Sequence, residues 1–384
     1  MRSIPHNTNR DKPDATPVAP VNTMKPKSKY LRSTWVLAGM LAIISPAANA
    51  QSSLTVFGVM DLGVRRTNTD HVGHVLSMAS GAHTSSRYGV RGREDLGGGL
   101  SASFWLESFL SADTGAVTPA GFQRRSTLSL SHTEWGELRM GRDFTPTHSN
   151  WARFDPFNYV GIGSVQLFSL SATGSTPATA AFGSNANSIQ RSSNAIQYLL
   201  PRNSWGLEGG ITKSFGEGNV SASDQHSSIG ARLGVNLGPV FVSAASYTTH
   251  DDKTISDFKD RAVAASWNAG FVKLSGGVRR FEYQQATQSN YLLAAVVPFG
   301  AHEVKFSFNR AKMGGTAGAT AIQGDGADQL ALGYVYRLSK RTAAYATAAT
   351  MRDKGNARFV IPGAPAGTAG ARSQGFEFGM NHEF

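Results

Sequence analysis

From residue 53 onward the chain alternates between apolar and polar positions in short runs bounded by turn residues. In "EVKFSFNR", Val304, Phe306 and Phe308 share one parity, and Lys305, Ser307 and Asn309 the other. "QLALGYVYRL" sets Leu330, Leu332, Tyr334, Tyr336 and Leu338 against Ala331, Gly333, Val335 and Arg337. "FVKLSGGVRR" sets Val272, Leu274 and Val278 against Lys273, Ser275 and Arg279, whereas "YLLAAVVPF" is apolar on both parities. Successive side chains of a strand point to opposite faces, so a period of two predicts strands with one greasy and one polar face. Helical periodicity does not persist anywhere in this stretch.

The links between runs alternate in length. Tight turns are predicted at Asp95–Gly99, His132–Gly136, Pro201–Ser204, Leu237–Pro239, Asn268–Gly270, Pro298–Ala301 and Ser339–Arg341. Between them lie Gly-, Ser-, Thr- and Asp-rich segments such as 67–84, 216–225 and 314–328. Seven short turns interleaved with eight long loops predict sixteen strands in up-and-down order. An even number of strands of about ten residues, with short turns at one rim and long loops at the other, is the pattern of a transmembrane antiparallel β-barrel. Closure would pair the first strand, Ser53–Val64, with the last, "GFEFGMNHEF", and leave no open edge. There Phe376, Phe378, Met380, His382 and Phe384 share a parity opposite to Glu377, Gly379, Asn381 and Glu383. A large secreted β-sandwich is the soluble alternative, and strict up-and-down order fits it poorly.

The N-terminal fifty residues change the compartment. Lys25, Lys27, Lys29 and Arg32 precede an apolar run from Trp35 to Ile44 and then Ala48-Asn49-Ala50. A basic stretch, a short apolar core and an A-x-A site predict a secretory signal peptide, with Met24 as the expected start of translation and cleavage after Ala50. The apolar run is well short of the roughly 20 residues a membrane-spanning helix needs. The expected mature chain is therefore 51–384. The sequence has no cysteine, which excludes disulfides, thiolate catalysis and cysteine-ligated zinc. Residues 1–50 hold seven Lys/Arg against Asp11 and Asp14, so the mature part carries +6 of the overall +11. That charge is spread thinly, and export argues independently against a nucleic-acid partner.

Several stretches resemble general bacterial porins of the Gram-negative trimeric type, in their β-proteobacterial form. They are "LTVFGVMDLGV", "SSRYGVRGREDLGGGL", "RRSTLSLSHTEWGELRMGRDFTP", "NAIQYLLP", "YRLSKRTAAYA" and "FGMNHEF", spread along most of the mature chain. The resemblance implies a sixteen-stranded barrel in the cell outer membrane, a homotrimer, and a water-filled pore for small hydrophilic solutes and inorganic ions. It also implies a third loop folded into the lumen, and a terminal strand, with Phe378, Met380 and Phe384, that is read by the assembly machinery. No cofactor is implied.

The connection 143–190 is far longer than its neighbours and is expected to form the constriction. Between Asp143 and Glu208 its only carboxylate is Asp155, in "RFDPF". By motif, the family's basic ladder falls on Arg87 ("SSRYG"), Arg124 ("QRRSTLSL") and Arg191 ("QRSSNAIQY"), expected to face Asp155, with Arg91 and Arg142 as auxiliary lumen charges. Parity leaves open whether Arg124 or the adjacent Arg125 faces inward. Arg337 and Arg341 are expected to lie far from the constriction. Uncompensated arginines in a narrow, low-dielectric passage concentrate anions, so an anion preference is expected. An enzymatic barrel is disfavoured: His71, His74, His83 and His148 lie in loops, without a Gly-x-Ser-x-Gly elbow. The remaining alternative is a non-conducting structural or adhesive barrel.

Overall fold

A computed structural model of the chain describes residues 52–117, 121–168, 174–183, 187–216, 226–250 and 256–384. The expected signal peptide lies outside them. Sixteen antiparallel staves form one closed barrel. β1 is Ser53–Thr69, and β2 comes in two pieces, Gly73–Ser80 and Arg87–Gly97. Next are β3 (Leu100–Ser111), β4 (Arg125–His132), β5 (Gly136–Phe144), β6 (Arg191–Leu199), β7 (Leu207–Ser214) and β8 (Ser228–Leu237). They are followed by β9 (Val240–His250), β10 (Asp257–Asn268), β11 (Lys273–Tyr283) and β12 (Ala286–Phe299). The last four are β13 (His302–Gly314), β14 (Gly326–Arg337), β15 (Thr342–Lys354) and β16 (Arg372–Glu383).

The seam closes as the alternation requires. Val59 through Thr69 of β1 pair with Glu383 through Ser373 of β16. Beyond the strand end, Gly58 and Phe384 exchange both backbone hydrogen bonds at 3.1 Å. A Cβ on Gly58 would collide with the Phe384 ring, so the absence of a side chain there lets the ring lie against the backbone.

Parity sorts the two faces. Leu54, Val56, Met60, Phe306, Leu330, Leu332, Tyr334, Phe376, Phe378 and Met380 are exposed on the outside, while Lys305, Ser307, Asn309, Gln329, Glu377 and Asn381 are buried inside. Trp135, Trp205, Trp267, Phe271 and Phe299 are exposed near the short turns, where aromatic side chains suit a membrane–water boundary.

All seven tight turns lie at the expected rim. At the opposite rim one expected long loop is absent: β11 and β12 are joined only by Gln284 and Gln285, with Gln284 at φ +52°. The second stave also departs from a simple strand. Residues 81–86 leave the sheet, so β1 pairs with Gly73–Ser80 on one side of the break and with Arg87–Arg93 on the other. The long connection is folded rather than structureless. It holds a helix Pro146–Trp151, capped by the Thr145 side chain accepting from the His148 N–H, and a second helix Pro177–Phe182 with a Thr176/Thr179 capping box.

The core sits between this loop and one side of the barrel. Trp151, Phe154, Phe157, Ile162, Val165 and Phe168 pack against inward-facing Ala262, Ala264, Ala294, Ala311, Ala331 and Ala349. Small wall residues make the room. A Cβ on Gly333 would come within 2.7 Å of the Phe157 ring, and one on Gly277 within 2.9 Å of Trp151.

Candidate functional site

Polar anchors fix the inward loop to the packed side. Arg279 and Asp260, both buried, form a bidentate pair, Nε to Oδ1 at 3.0 Å and Nη2 to Oδ2 at 2.7 Å. Thr147 Oγ1 donates to Asp260 Oδ2 at 2.6 Å, and Arg279 Nη1 donates to the Tyr159 hydroxyl at 3.1 Å. Gln288 and Gln329 donate to the carbonyls of Phe168 and Ile162, and Glu377 accepts the Ile162 N–H.

The loop tip is held against the opposite wall. Asn158 and Tyr159 both have positive φ, at +56° and +63°, a conformation that costs energy in non-glycine residues and persists only where surroundings impose it. Asp155 supplies part of that constraint: its carboxylate accepts the N–H groups of Phe157, Tyr159 and Val165 at 2.9, 3.2 and 3.0 Å. Burial pushes its carboxyl up to about 6. Asn158 Nδ2 donates to the carbonyl of His83 in the 81–86 break at 3.0 Å. His83 stacks on Tyr345 at 5.0 Å, and burial, with Lys305 and Arg337 nearby, pushes its imidazole down to about 3, so it is uncharged near neutrality.

Two cavities meet at this tip. One, of about 930 Å³ on the long-loop side, is lined by Arg65, Arg124, Arg191, Phe109, His148 and Tyr159 among others. The second, of about 610 Å³ on the short-turn side, is lined by Arg87, Arg124, Arg153, Lys273, Lys305 and Arg337 with Asp155, Glu303 and Glu383. Ser85, Arg124 and Asn158 line both, so the two cavities adjoin between the 81–86 break and the loop tip.

The structure brings Arg87, Arg124 and Arg191 together on the wall facing the loop. Arg124 Nε donates to Glu107 Oε1 at 2.5 Å, and Arg87 Nε lies 3.7 Å from the same oxygen. Arg191 Nε donates to the Arg124 carbonyl at 3.0 Å, and Nη1 to Gln190 Oε1 at 3.2 Å. The Arg124 and Arg191 guanidiniums lie over the Phe109 ring, at 4.6 Å and 5.3 Å. Among the described residues Arg191 has no carboxylate in ion-pair range. The choice between Arg124 and Arg125 dissolves, because both face inward. Arg125 begins β4 on the lumenal parity of Thr127 and Ser129, 3.4 Å from Asp143, while Arg124 precedes the strand and is free of its parity.

Of the other expected residues, Arg91 shares the inward parity of Arg87. Asp155 is 5 % exposed and directed at its own loop's backbone, not at the arginines. Arg91 stacks over Phe57 and Trp105 at 5.3 and 5.0 Å. Arg142, expected as an auxiliary lumen charge, is close enough to Arg191 for its charge to act there. It shares the outward parity of Leu138 and Met140, bonds to the Gln123 carbonyl and Ser193, and lines neither cavity. Arg337, expected to be remote, lines the short-turn cavity beside Glu303. Sequence reasoning missed Glu107 and Arg65. Both were accessible from parity, since Glu107 shares a face with Trp105 and Phe109, and Arg65 with Asp61 and Gly63.

Comparison with known proteins agrees with this architecture. The family model described as Gram-negative porin matches residues 36–356. Outer membrane porin protein 32 of Delftia acidovorans is 34% identical over 355 residues, covering 88% of this chain and 96% of that protein. An outer membrane porin protein of Bordetella pertussis is 27% identical over 374 residues, covering 82% of this chain and 93% of that protein. Among solved structures, the anion-selective porin from Comamonas acidovorans superposes with a TM-score of 0.75 at 31% identity, covering 87% of this chain and all of that one. Family match, closed sixteen-stave barrel and a lumen narrowed by its own loop lead to one conclusion: the chain belongs to the Gram-negative porin family and is a general diffusion channel of the outer membrane.

Proposed function

We propose that the channel prefers anions and that its constriction is formed by Arg87, Arg124 and Arg191 opposite the loop tip around Asn158 and Asp155. One observation carries the reading. The long-loop cavity presents Arg65, Arg124 and Arg191 with no carboxylate in its lining, and basic groups also outnumber acidic ones in the short-turn cavity. Glu107 and Glu377 partly offset Arg124 and Arg65 through ion pairs, and Arg191 has no such partner among the described residues. In a narrow passage bounded by protein, an uncompensated positive field raises the local concentration of anions. The relative from Comamonas acidovorans is itself described as an anion-selective porin, which supports the same reading.

Three further parts belong to the proposal. The barrel works as a homotrimer, residues 1–50 are removed on export, and the β16 strand with Phe378, Met380 and Phe384 is the feature recognised in assembly. The protein acts as a channel and not as an enzyme. His148, the histidine nearest the arginines, is packed between Phe144 and Tyr159, and burial with Arg191 close by pushes its imidazole well below the ordinary range.

The test is reversal potential in a planar bilayer under a salt gradient. The native channel gives stepwise currents with a potential of the anion-preferring sign, and Arg124→Gln/Arg191→Gln moves it toward cations. Absence of stepwise current would favour the non-conducting barrel. A reversal potential indifferent to both arginines would remove them from the constriction.

A further inference from the structure

The break in the second stave brings six residues into the lumen where the register has room for two. Ser80 pairs with Leu62 and Arg87 with Val59, so residues 81–86 stand opposite only Met60 and Asp61. An insertion of this kind leaves backbone groups without ladder partners, and they must be satisfied in another way. Asp61 satisfies several of them. Its fully buried carboxylate accepts the N–H groups of His83 and Thr84 on Oδ2, at 2.8 and 2.5 Å. Its carbonyl accepts the Gly81 N–H and the Ser86 hydroxyl, both at 3.0 Å, and its own N–H donates to Ser86 Oγ at 3.1 Å.

Tyr345 reaches the same carboxylate from β15, two strands away, and its hydroxyl donates to Asp61 Oδ1 at 2.6 Å. Tyr345 stands opposite Gly379 of β16, which stands opposite Gly63 of β1. A Cβ on Gly379 would come within 2.6 Å of the Tyr345 hydroxyl and one on Gly63 within 2.8 Å, so the row is bare where the ring crosses it. His83 stacks on that ring at 22° between planes, and Ala82 packs with Tyr345, Val335 and Ala343 in a small buried cluster. The break is thus gripped by a carboxylate and seated on an aromatic face. The loop tip docks on it in turn: Asn158 donates to the His83 carbonyl, and Gly161, at φ +72°, lies where a Cβ would collide with the Ala82 carbonyl. Arg87 is steered by the same segment, its Nη1 donating to the Ser85 carbonyl at 3.1 Å.

We propose that Asp61 and Tyr345 are positioning residues of the channel: they hold the 81–86 segment as a dock for the loop tip, and the docked pair fixes the calibre of the passage. The inward loop packs on β10 to β15, and its tip reaches β16 through Glu377 and the 81–86 segment through Asn158, so tip and segment together bridge the lumen. Solutes are left the side on which Ser85, Arg87 and Arg124 stand. Releasing the dock opens the bridged side and widens the passage. Asp61 and Tyr345, at 0 % and 4 % exposed, act on solutes only through the segment they hold. The inference rests on the constriction lying at the loop tip, but it concerns size and not the sign of charge, so uncharged solutes test it separately from the arginines.

The experiment uses the full mature channel in planar bilayers, with uncharged polyethylene glycols of graded size as probes and single-channel conductance as readout. Tyr345→Phe keeps the ring under His83 and removes the donor to Asp61, and Asp61→Asn keeps the shape and removes the charge. Asn158→Gly removes the donor of the tip and keeps a positive φ at no steric cost. Each is expected to shift polymer exclusion to larger sizes and to populate a larger conductance level. In Tyr345→Phe, which loses one charge-assisted hydrogen bond, the ratio of released to docked channels should rise about 10- to 100-fold. Tyr345→Phe combined with Asn158→Gly should do no more than the stronger single variant, because both break one chain of contacts. A residue that only packs the barrel would lower the unfolding temperature and leave polymer exclusion alone. The proposal is overturned if Tyr345→Phe and Asp61→Asn fold and keep native exclusion while Asn158→Gly shifts it, an outcome that leaves the constriction at the tip. It is overturned as well if all three keep native exclusion, which moves the constriction elsewhere, or if the effects of Tyr345→Phe and Asn158→Gly add. Should Asp61→Asn fail to assemble, Tyr345→Phe decides alone.

Discussion

Glu107 offers a sharp test of the electrostatic argument, because it is the acid that the arginine wall already contains. Its Oε1 accepts from Arg124 and lies 3.7 Å from Arg87, while Oε2 accepts the Trp105 indole N–H at 3.1 Å. Glu107→Gln keeps the shape and an acceptor oxygen but removes one negative charge from the wall. A unit charge about 6 Å from a passing ion is worth roughly 0.7 kcal/mol in an aqueous dielectric. Screening over a Debye length of about 8 Å lowers that to roughly 0.3 kcal/mol. Anions gain this amount and cations lose it, so the anion-to-cation permeability ratio should rise about threefold. Low dielectric around the buried Arg124 and Arg191 guanidiniums makes this a lower bound. Reversal potentials of native and variant channels, measured at one salt gradient and at two ionic strengths, read it directly. The shift should shrink at higher salt. A variant that folds and conducts but shows no shift, or one toward cations, would refute the reasoning.

Asp260→Asn should strip Arg279 of its buried counter-charge at a cost of about 3–5 kcal/mol and loosen the inward loop. Thermal stability should then drop and single-channel conductance become larger and noisier. Asp155, raised by burial from 3.8 to about 6, contributes stability that is fully present below pH 3.8 and lost as pH rises through 6. The same ionisation adds a negative charge near the constriction, so anion preference should fall as pH rises through about 6. Asp155→Asn should abolish that step, and an identical step in the variant would assign it to another group. Phe384→Ser should leave synthesis intact and lower the amount of heat-modifiable barrel in the outer membrane; unchanged levels would count against a role for the terminal ring.

What could be read in advance was whatever strict alternation controls. The outward positions of Phe306, Leu332, Tyr334 and Phe376, all seven tight turns and the closing of β1 on β16 follow from a period of two and from turn chemistry. Parity failed where the backbone leaves the strand. Residues 81–86 break the second stave across the end of the segment 67–84 expected to be loop and the start of the stretch expected to be strand. Arg124 escapes alternation by preceding β4. Asp155 was read by its charge, whereas its geometry was decided by three backbone N–H groups in a strained turn. Glu107, the balancing acid, belongs to the wall and not to the loop, so the loop's composition does not disclose it. The two-residue link at Gln284 lacks the glycine that usually marks so tight a turn.

The packing of the inward loop against alanine and glycine has a consequence for how such a channel can change. Its filler and its arginine cluster reside on different staves. β10 to β15 carry the small residues that decide how far Trp151, Phe157 and Phe168 sink, and hence how much of the bore stays open. β2 to β6 and the segments joining them carry Arg87, Arg124, Arg191 and Glu107. Enlarging one wall alanine would push the loop toward the arginines and narrow the bore while leaving every charge in place. Exchanging one arginine would retune the sign of the traffic at constant calibre. Size exclusion and charge discrimination are therefore separable dials, and selection could turn either one without first disturbing the other.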